Sequence, residues 1–158
     1  MIDPKRKQAI LRYCTLQDRS HLEVRLKLIH LKVYGEDLEA MMTELIQQDF
    51  LNEERFARSF VRGKFTMKGW GREKISRELV RHQLSDYVMR KAWEEIDEAE
   101  YSQAAESQAR KICDQWLGHS ISAPQLRKKV YDTLRRKGFE HEVAWDAVEG
   151  LDLPEVNL

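Results

Sequence analysis

A four-rung apolar ladder, written three times, constrains this chain more than any other feature. Val24, Leu28, Val33 and Leu38 return as Ile75, Leu79, Leu84 and Val88, and again as Val130, Leu134, Phe139 and Val143. The copies are offset by 51 residues (Val24 to Ile75) and then by 55 (Ile75 to Val130). Each ladder runs on, through Met42 and Ile46, Ala92 and Ile96, and Ala147 and Leu151. Two helical faces on either side of a tight turn satisfy that spacing, and a unit repeated at a fixed long period is the mark of an array. No stretch alternates with period two over a useful length. The expected class is therefore all-α: three tandem three-helix, helix-turn-helix-like repeats forming an elongated, curved array. Their expected bounds are 1–50, 51–97 and 98–151, with a tail at 152–158.

Start and stop signals agree with nine helices. Asp3-Pro4 reads as an N-cap and first-turn proline for a helix over 4–13, and Asp18 or Ser20 caps the next. The turn at Tyr34-Gly35 opens a third helix ending near Gln48. Asn52 caps a helix to about Met67, Lys68-Gly69-Trp70-Gly71 breaks it, and a helix follows over 72–82. Ser85 caps the next, ending near Ile96. A longer helix over 98–117 is followed by the loop 118–124, whose end supplies a cap and a proline for the eighth. Lys137-Gly138-Phe139 is a C-terminal stop with glycine where a left-handed backbone is needed.

The 158 residues carry 27 basic and 27 acidic side chains, but the zero net charge conceals a wave. Residues 1–32 hold 8 Lys and Arg against 3 Asp and Glu, and residues 33–54 hold 0 against 7. Residues 55–81 then hold 9 against 2, 82–109 hold 2 against 7, 110–137 hold 8 against 2, and 138–158 hold 0 against 6. Either the basic stretches line one side of the array as a positive stripe, or opposite charges meet between neighbouring helices.

Most catalytic classes find no footing here. There is no phosphate-binding G-x-x-x-x-G-K-[ST], and Gly69-Trp70-Gly71 lacks the later glycine of a dinucleotide fingerprint. The five histidines never stand at metal spacing with each other or with Cys14 and Cys113, which read as ordinary reduced thiols. Glu53-Glu54 and Asp97-Glu98 read as helix caps rather than acid–base pairs. No apolar run approaches the roughly 20 residues that span a bilayer. The expectations are a cytoplasmic monomer with no enzymatic activity, no cofactor and no metal.

The segment 51–84 interleaves aromatic residues with cations. Phe56, Phe60 and Val61 share one helix face and read as core, which leaves Arg55, Arg58, Arg62 and Lys64 largely outside it. Lys68, Trp70, Arg72, Lys74, Arg77 and Arg81 continue the cluster across the glycine break. Trp70, between two glycines, either folds onto the core or stacks on a partner. From charge and helix phase, the candidate partner-binding residues are Arg55, Arg62, Lys64, Lys68, Trp70, Arg72, Lys74, Arg77 and Arg81. For Arg55 the alternative is a structural ion pair, with Glu53 and Glu54 close by in sequence.

These residues also carry a family resemblance. Leu51-Asn52-Glu53-Glu54-Arg55-Phe56-Ala57, Phe60-Val61, Lys68-Gly69-Trp70-Gly71 and Ile75-x-x-Glu78-Leu79 together resemble the central signature of the RecX family. Ser20-x-x-Glu23-Val24-x-x-Lys27-Leu28 is similar to an S-x-x-E-L-x-x-K-L element of that family, and Leu134-x-x-Lys137-Gly138-Phe139 resembles its helix-turn-helix close. Asn52 and the Trp70-Gly71 pair depart from the family's usual residues, and one extra residue separates Val33 from Leu38. The resemblance implies three tandem three-helix repeats that bind the RecA recombinase and its filament on single-stranded DNA and restrain it. Two other readings stay open: a direct DNA-binding protein using its second helices for recognition, and a helical-repeat adaptor that captures proteins through an apolar groove.

Overall fold

The computed structural model describes residues 1–153; of the expected tail, 154–158 lie outside the described residues. Among the described residues there are nine α-helices and no strand. They are α1 (Pro4–Leu16), α2 (His21–His30), α3 (Gly35–Gln47), α4 (Glu53–Thr66), α5 (Arg72–Leu79), α6 (Asp86–Trp93), α7 (Glu98–Gln115), α8 (Ala123–Arg136) and α9 (His141–Glu149). A 3-10 turn, Val80–His82, extends α5. By packing, the chain divides into two compact units, Met1–Val61 with Leu79–Glu95, and Arg62–Glu78 with Ile96 onward. The divisions fall inside α4 and α5, so the second repeat contributes residues to both units.

In the first unit, caps and the 3.6-residue period act together. Asp3 accepts the Arg6 N–H at 3.0 Å, with Pro4 in the first turn. Ser20, not Asp18, caps α2. Its hydroxyl accepts the Glu23 N–H at 3.1 Å and the Glu23 carboxylate accepts the Ser20 N–H at 3.0 Å, a reciprocal capping box. The His82 ring lies 2.9 Å from the same hydroxyl through Nδ1, and against Phe56. Ile10, Val24, Leu28, Val33, Leu38, Met41, Met42, Leu45 and Leu51 form the core.

The ladder misplaces one rung of this core. Ile46 is 45% exposed, whereas Leu45 is 1% exposed. At about 100° per residue, position i+8 from Leu38 has turned about 80° off the buried face, while i+7 is about 20° short of it. Leu45→Ala is expected to cost about 2–5 kcal/mol and Ile46→Ala under about 1 kcal/mol. Urea unfolding of the two variants would measure the difference, and equal losses would contradict this packing.

In the second unit, α7, α8 and α9 pack on one another. Ser122 and Gln125 make the second reciprocal capping box, with Pro124 in the first turn of α8. Ala105 and Ala109 on α7 are fully buried, and such small side chains permit close helix approach. Val130, Leu134 and Phe139 are 0% exposed, as the ladder requires, and Ala144, Ala147 and Val148 close the core from α9. The Tyr101 ring sits 5.9 Å from Phe65 and 5.2 Å from Phe139, centroid to centroid. The second ladder is the weakest: Ile75 and Leu79 are fully buried, but Leu84 and Val88 only half so.

Candidate partner-binding surface

The basic and aromatic segment is positioned by a break that the third repeat holds from outside. Gly69 has φ +69°, and the Gln108 side chain on α7 donates to its carbonyl at 2.9 Å. The Trp70 N–H bonds back to the Lys64 carbonyl at 3.1 Å, which folds the chain over the end of α4. Helix α5 then starts without a Ser, Asn or Asp cap, so its first N–H groups need partners elsewhere. The Gly71 N–H donates to the Lys137 carbonyl at 2.8 Å, the Arg72 N–H to the Tyr101 hydroxyl at 2.9 Å, and the Glu73 N–H to the Gly138 carbonyl at 2.9 Å. Three long-range acceptors thus replace a local cap. A Cβ on Gly71 would lie 2.4 Å from the Gly138 and Phe139 backbone, so only glycine lets the two segments meet.

The nine candidate residues are divided between the units, with Arg55 and Arg81 in the first and the other seven in the second. Lys64, Trp70 and Lys74 come together: Lys64 Nζ lies 4.9 Å and Lys74 Nζ 4.5 Å from the Trp70 ring centroid. At those distances both ammonium groups are drawn to the indole. Trp70 is half-buried, so it is neither a core residue nor a free platform. Lys68 and Arg77 are exposed and form no ion pair among the described residues. Arg81 is exposed on the 3-10 turn.

Three of the candidate arginines are engaged within their units. Arg55 takes the structural alternative, but with Asp18 at 2.7 Å and Asp49 at 3.1 Å, not with Glu53 or Glu54. It also donates to the Asp49 carbonyl at 3.1 Å, and the Asp18 hydrogen bond, helped by Asp49, raises its pKa. Arg62 bonds Glu100 at 2.8 Å. Arg72 bonds Glu98 at 2.6 Å and Glu140 at 3.1 Å, with its guanidinium 3.9 Å from the Tyr101 ring centroid. Tyr101 in turn donates its hydroxyl hydrogen to Glu140, and burial, reinforced by that carboxylate, pushes the phenol pKa upward. Arg58 behaves likewise, bonding Glu54, Glu94 and Glu95, which raise its pKa.

Part of the charge wave is neutralised between neighbouring helices. Arginines meet carboxylates of neighbouring helices, as Arg25 does with Glu39 through two bonds and Arg135 with Glu73. Lys68 and Lys74 at the break form no ion pair among the described residues. A planar guanidinium matches a carboxylate, whereas an ammonium is a mobile point charge. Selection by charge missed Tyr101, Glu140 and Gln108, which hold the break, and Lys111 and Lys137, which share a groove with Lys68. The basic stretch 110–137 was the available signal for the last two. Among the described residues no group of three or more His, Cys, Asp or Glu could hold a metal ion, and no helix is long and apolar enough to cross a membrane.

Comparison with known proteins converges on one family. The model for the second three-helix domain of RecX matches residues 52–92, and that for the third three-helix domain matches 98–148. Regulatory protein RecX of Lactococcus lactis subsp. cremoris strain SK11 is 28% identical over 149 residues, covering 93% of this chain and 55% of its own. Regulatory protein RecX of Herbaspirillum seropedicae is 28% identical over 149 residues, covering 94% of this chain and 92% of its own. The chain thus spans about half the length of the Lactococcus relative. The crystal structure of RecX from Lactobacillus salivarius has the same fold, with a TM-score of 0.81 at 23% identity over 95% of this chain and 96% of that one.

Proposed function

The chain belongs to the RecX family, and from that membership we propose that it is a cytosolic regulatory protein that binds the RecA recombinase and its filament on single-stranded DNA. Binding lowers ATP hydrolysis and strand exchange, and so restrains recombination, DNA repair and the SOS response. The observation that carries this reading is the match of two consecutive RecX domain models to 52–92 and 98–148. Those two stretches supply both partners of the α5 N-terminal contact. No chemistry is asked of the chain, because a ligand that prefers one filament state shifts the population toward it. Lys64, Lys68, Trp70, Lys74 and Arg77 form the surface offered to the filament, while Arg55, Arg62 and Arg72 maintain the scaffold that presents it.

The test is ATP hydrolysis by RecA of the same organism, dependent on single-stranded DNA, with this protein titrated in at excess DNA. Inhibition well below one copy per RecA protomer is expected. The double variant Lys74→Glu/Arg77→Glu should keep its helicity and lose about tenfold or more in inhibitory potency. Full potency in that folded variant would overturn the surface assignment, and no inhibition by saturating folded wild type would overturn the function.

A further inference from the structure

Within the second unit, the end of α4, the helix α7 and the end of α8 bound an open groove of about 710 Å³. Three lysines from these three places face it: Lys68 after α4, Lys111 on α7 and Lys137 at the C-cap of α8. None forms an ion pair among the described residues. The single carboxylate of the lining, Glu100, is held by Arg62 at 2.8 Å. The groove therefore carries uncompensated positive charge in a chain whose net charge is zero. Gln103 and Gln115, both exposed, add amide donors and acceptors along α7. Met67 stands at the margin, 85% exposed.

We propose that this groove seats the phosphate backbone of single-stranded DNA. Three ammonium groups on long flexible stems, converging from separate elements, suit a row of phosphates, each met as a point charge. Amide side chains beside them pair with base edges through either donor or acceptor, which tolerates any sequence, and the exposed Met67 offers an apolar contact to an unstacked base. An acidic peptide is the poorer fit: Phe65, Met67, Ala104 and Ile112 also line the groove, giving unstacked bases apolar surface beside the amides of Gln103 and Gln115 that a run of carboxylates would leave unused. A duplex is also a poorer fit, because its paired bases cannot reach the amides. The groove is distinct from the Lys64, Trp70 and Lys74 cluster. It deepens the function proposed above and rests on it for its setting, by giving the DNA strand of a filament a seat on this chain.

The test uses the whole protein, a short fluorescein-labelled oligothymidylate and no recombinase, so a failed ATPase titration and a failed groove are told apart. Wild type should bind with an affinity that falls steeply as salt rises. Lys68→Ala/Lys111→Ala/Lys137→Ala should lose about tenfold or more and flatten the logarithmic salt slope by about 2, at about 0.7 per phosphate contact. Lys5→Ala/Arg12→Ala, two exposed cations of α1 outside the groove, should bind as wild type does. If the triple variant fails to fold, Lys111→Ala alone, on the exposed face of α7, should still flatten the slope by about 0.7. Undiminished binding by a folded triple variant, no salt-dependent binding by wild type, or equal competition by polyglutamate would each overturn the assignment.

Discussion

Gly138→Ala is expected to destabilise the protein by about 3 kcal/mol or more, the largest effect of any small substitution in the chain. Two costs add. Gly138 has φ +100°, which an L side chain adopts only under strain, and its Cβ would lie 2.4 Å from the Lys74 Cβ and 2.5 Å from the Lys74 nitrogen. Relief of that overlap must move α5, which breaks the bonds from the Gly71 and Glu73 N–H groups to the Lys137 and Gly138 carbonyls. Gly71→Ala attacks the same contact from the other side and should cost a comparable amount, although its backbone is unstrained. Gly63→Ala is the control: it lies in α4 with nothing within 4 Å of a new Cβ, and should stabilise by about 0.5–1 kcal/mol through helix propensity. Denaturant unfolding of the three variants distinguishes close approach from a generic loss of glycine. Stability within about 0.5 kcal/mol of wild type for Gly138→Ala would mean the segments do not meet as described.

Arg72→Glu should also be strongly damaging, costing about 2–3 kcal/mol, whereas Arg77→Glu should stay within about 0.5 kcal/mol of wild type. Each removes one cation from the same helix, so net charge alone predicts equal outcomes. Arg72, however, is three-quarters buried between Glu98, Glu140 and the Tyr101 ring, and a glutamate there sets a third carboxylate among two. Arg77 is exposed and has no such partners. Thermal melts would report the difference, and alkaline titration would locate it. Tyr101 carries a raised pKa, so the folded state holds its phenolic proton where the unfolded chain releases it. The associated stability is complete below the ordinary tyrosine value of about 10 and is lost progressively as pH rises above it. Tyr101→Phe should remove that part of the alkaline loss; an unchanged alkaline profile would separate Tyr101 from the Arg72 and Glu140 network. Any binding lost by Arg72→Glu would report unfolding, which is why the surface test above leaves that residue intact.

Helices and caps were legible along the chain because their causes are local. Ser20 with Glu23, Asn52 with Arg55, Asp97 with Glu100 and Ser122 with Gln125 each join residues three apart, and each forms as the sequence suggests. The ladder placed most of the core for the same reason, and failed at Ile46, where counting by fours outran the true helical period. The candidate cations were legible only as charges. Three of the candidate arginines lie beside carboxylates 6 to 68 residues away, from Arg55 with Asp49 to Arg72 with Glu140.

By itself, then, the sequence determined an all-helical repeat, the ends of most helices and a surplus of cations around the second glycine break, since all three follow from interactions within one or two helical turns. Tertiary structure alone decided how α5 begins. Its orphan N–H groups are met by Lys137, Gly138 and Tyr101, residues 66, 65 and 29 positions away, counted from Gly71, Glu73 and Arg72. It also decided which cations remain available, because an arginine is spent or spared by the carboxylate that folding brings beside it. Hydrogen bonds and ion pairs act over a few ångströms of space, and distance along the chain does not measure that space.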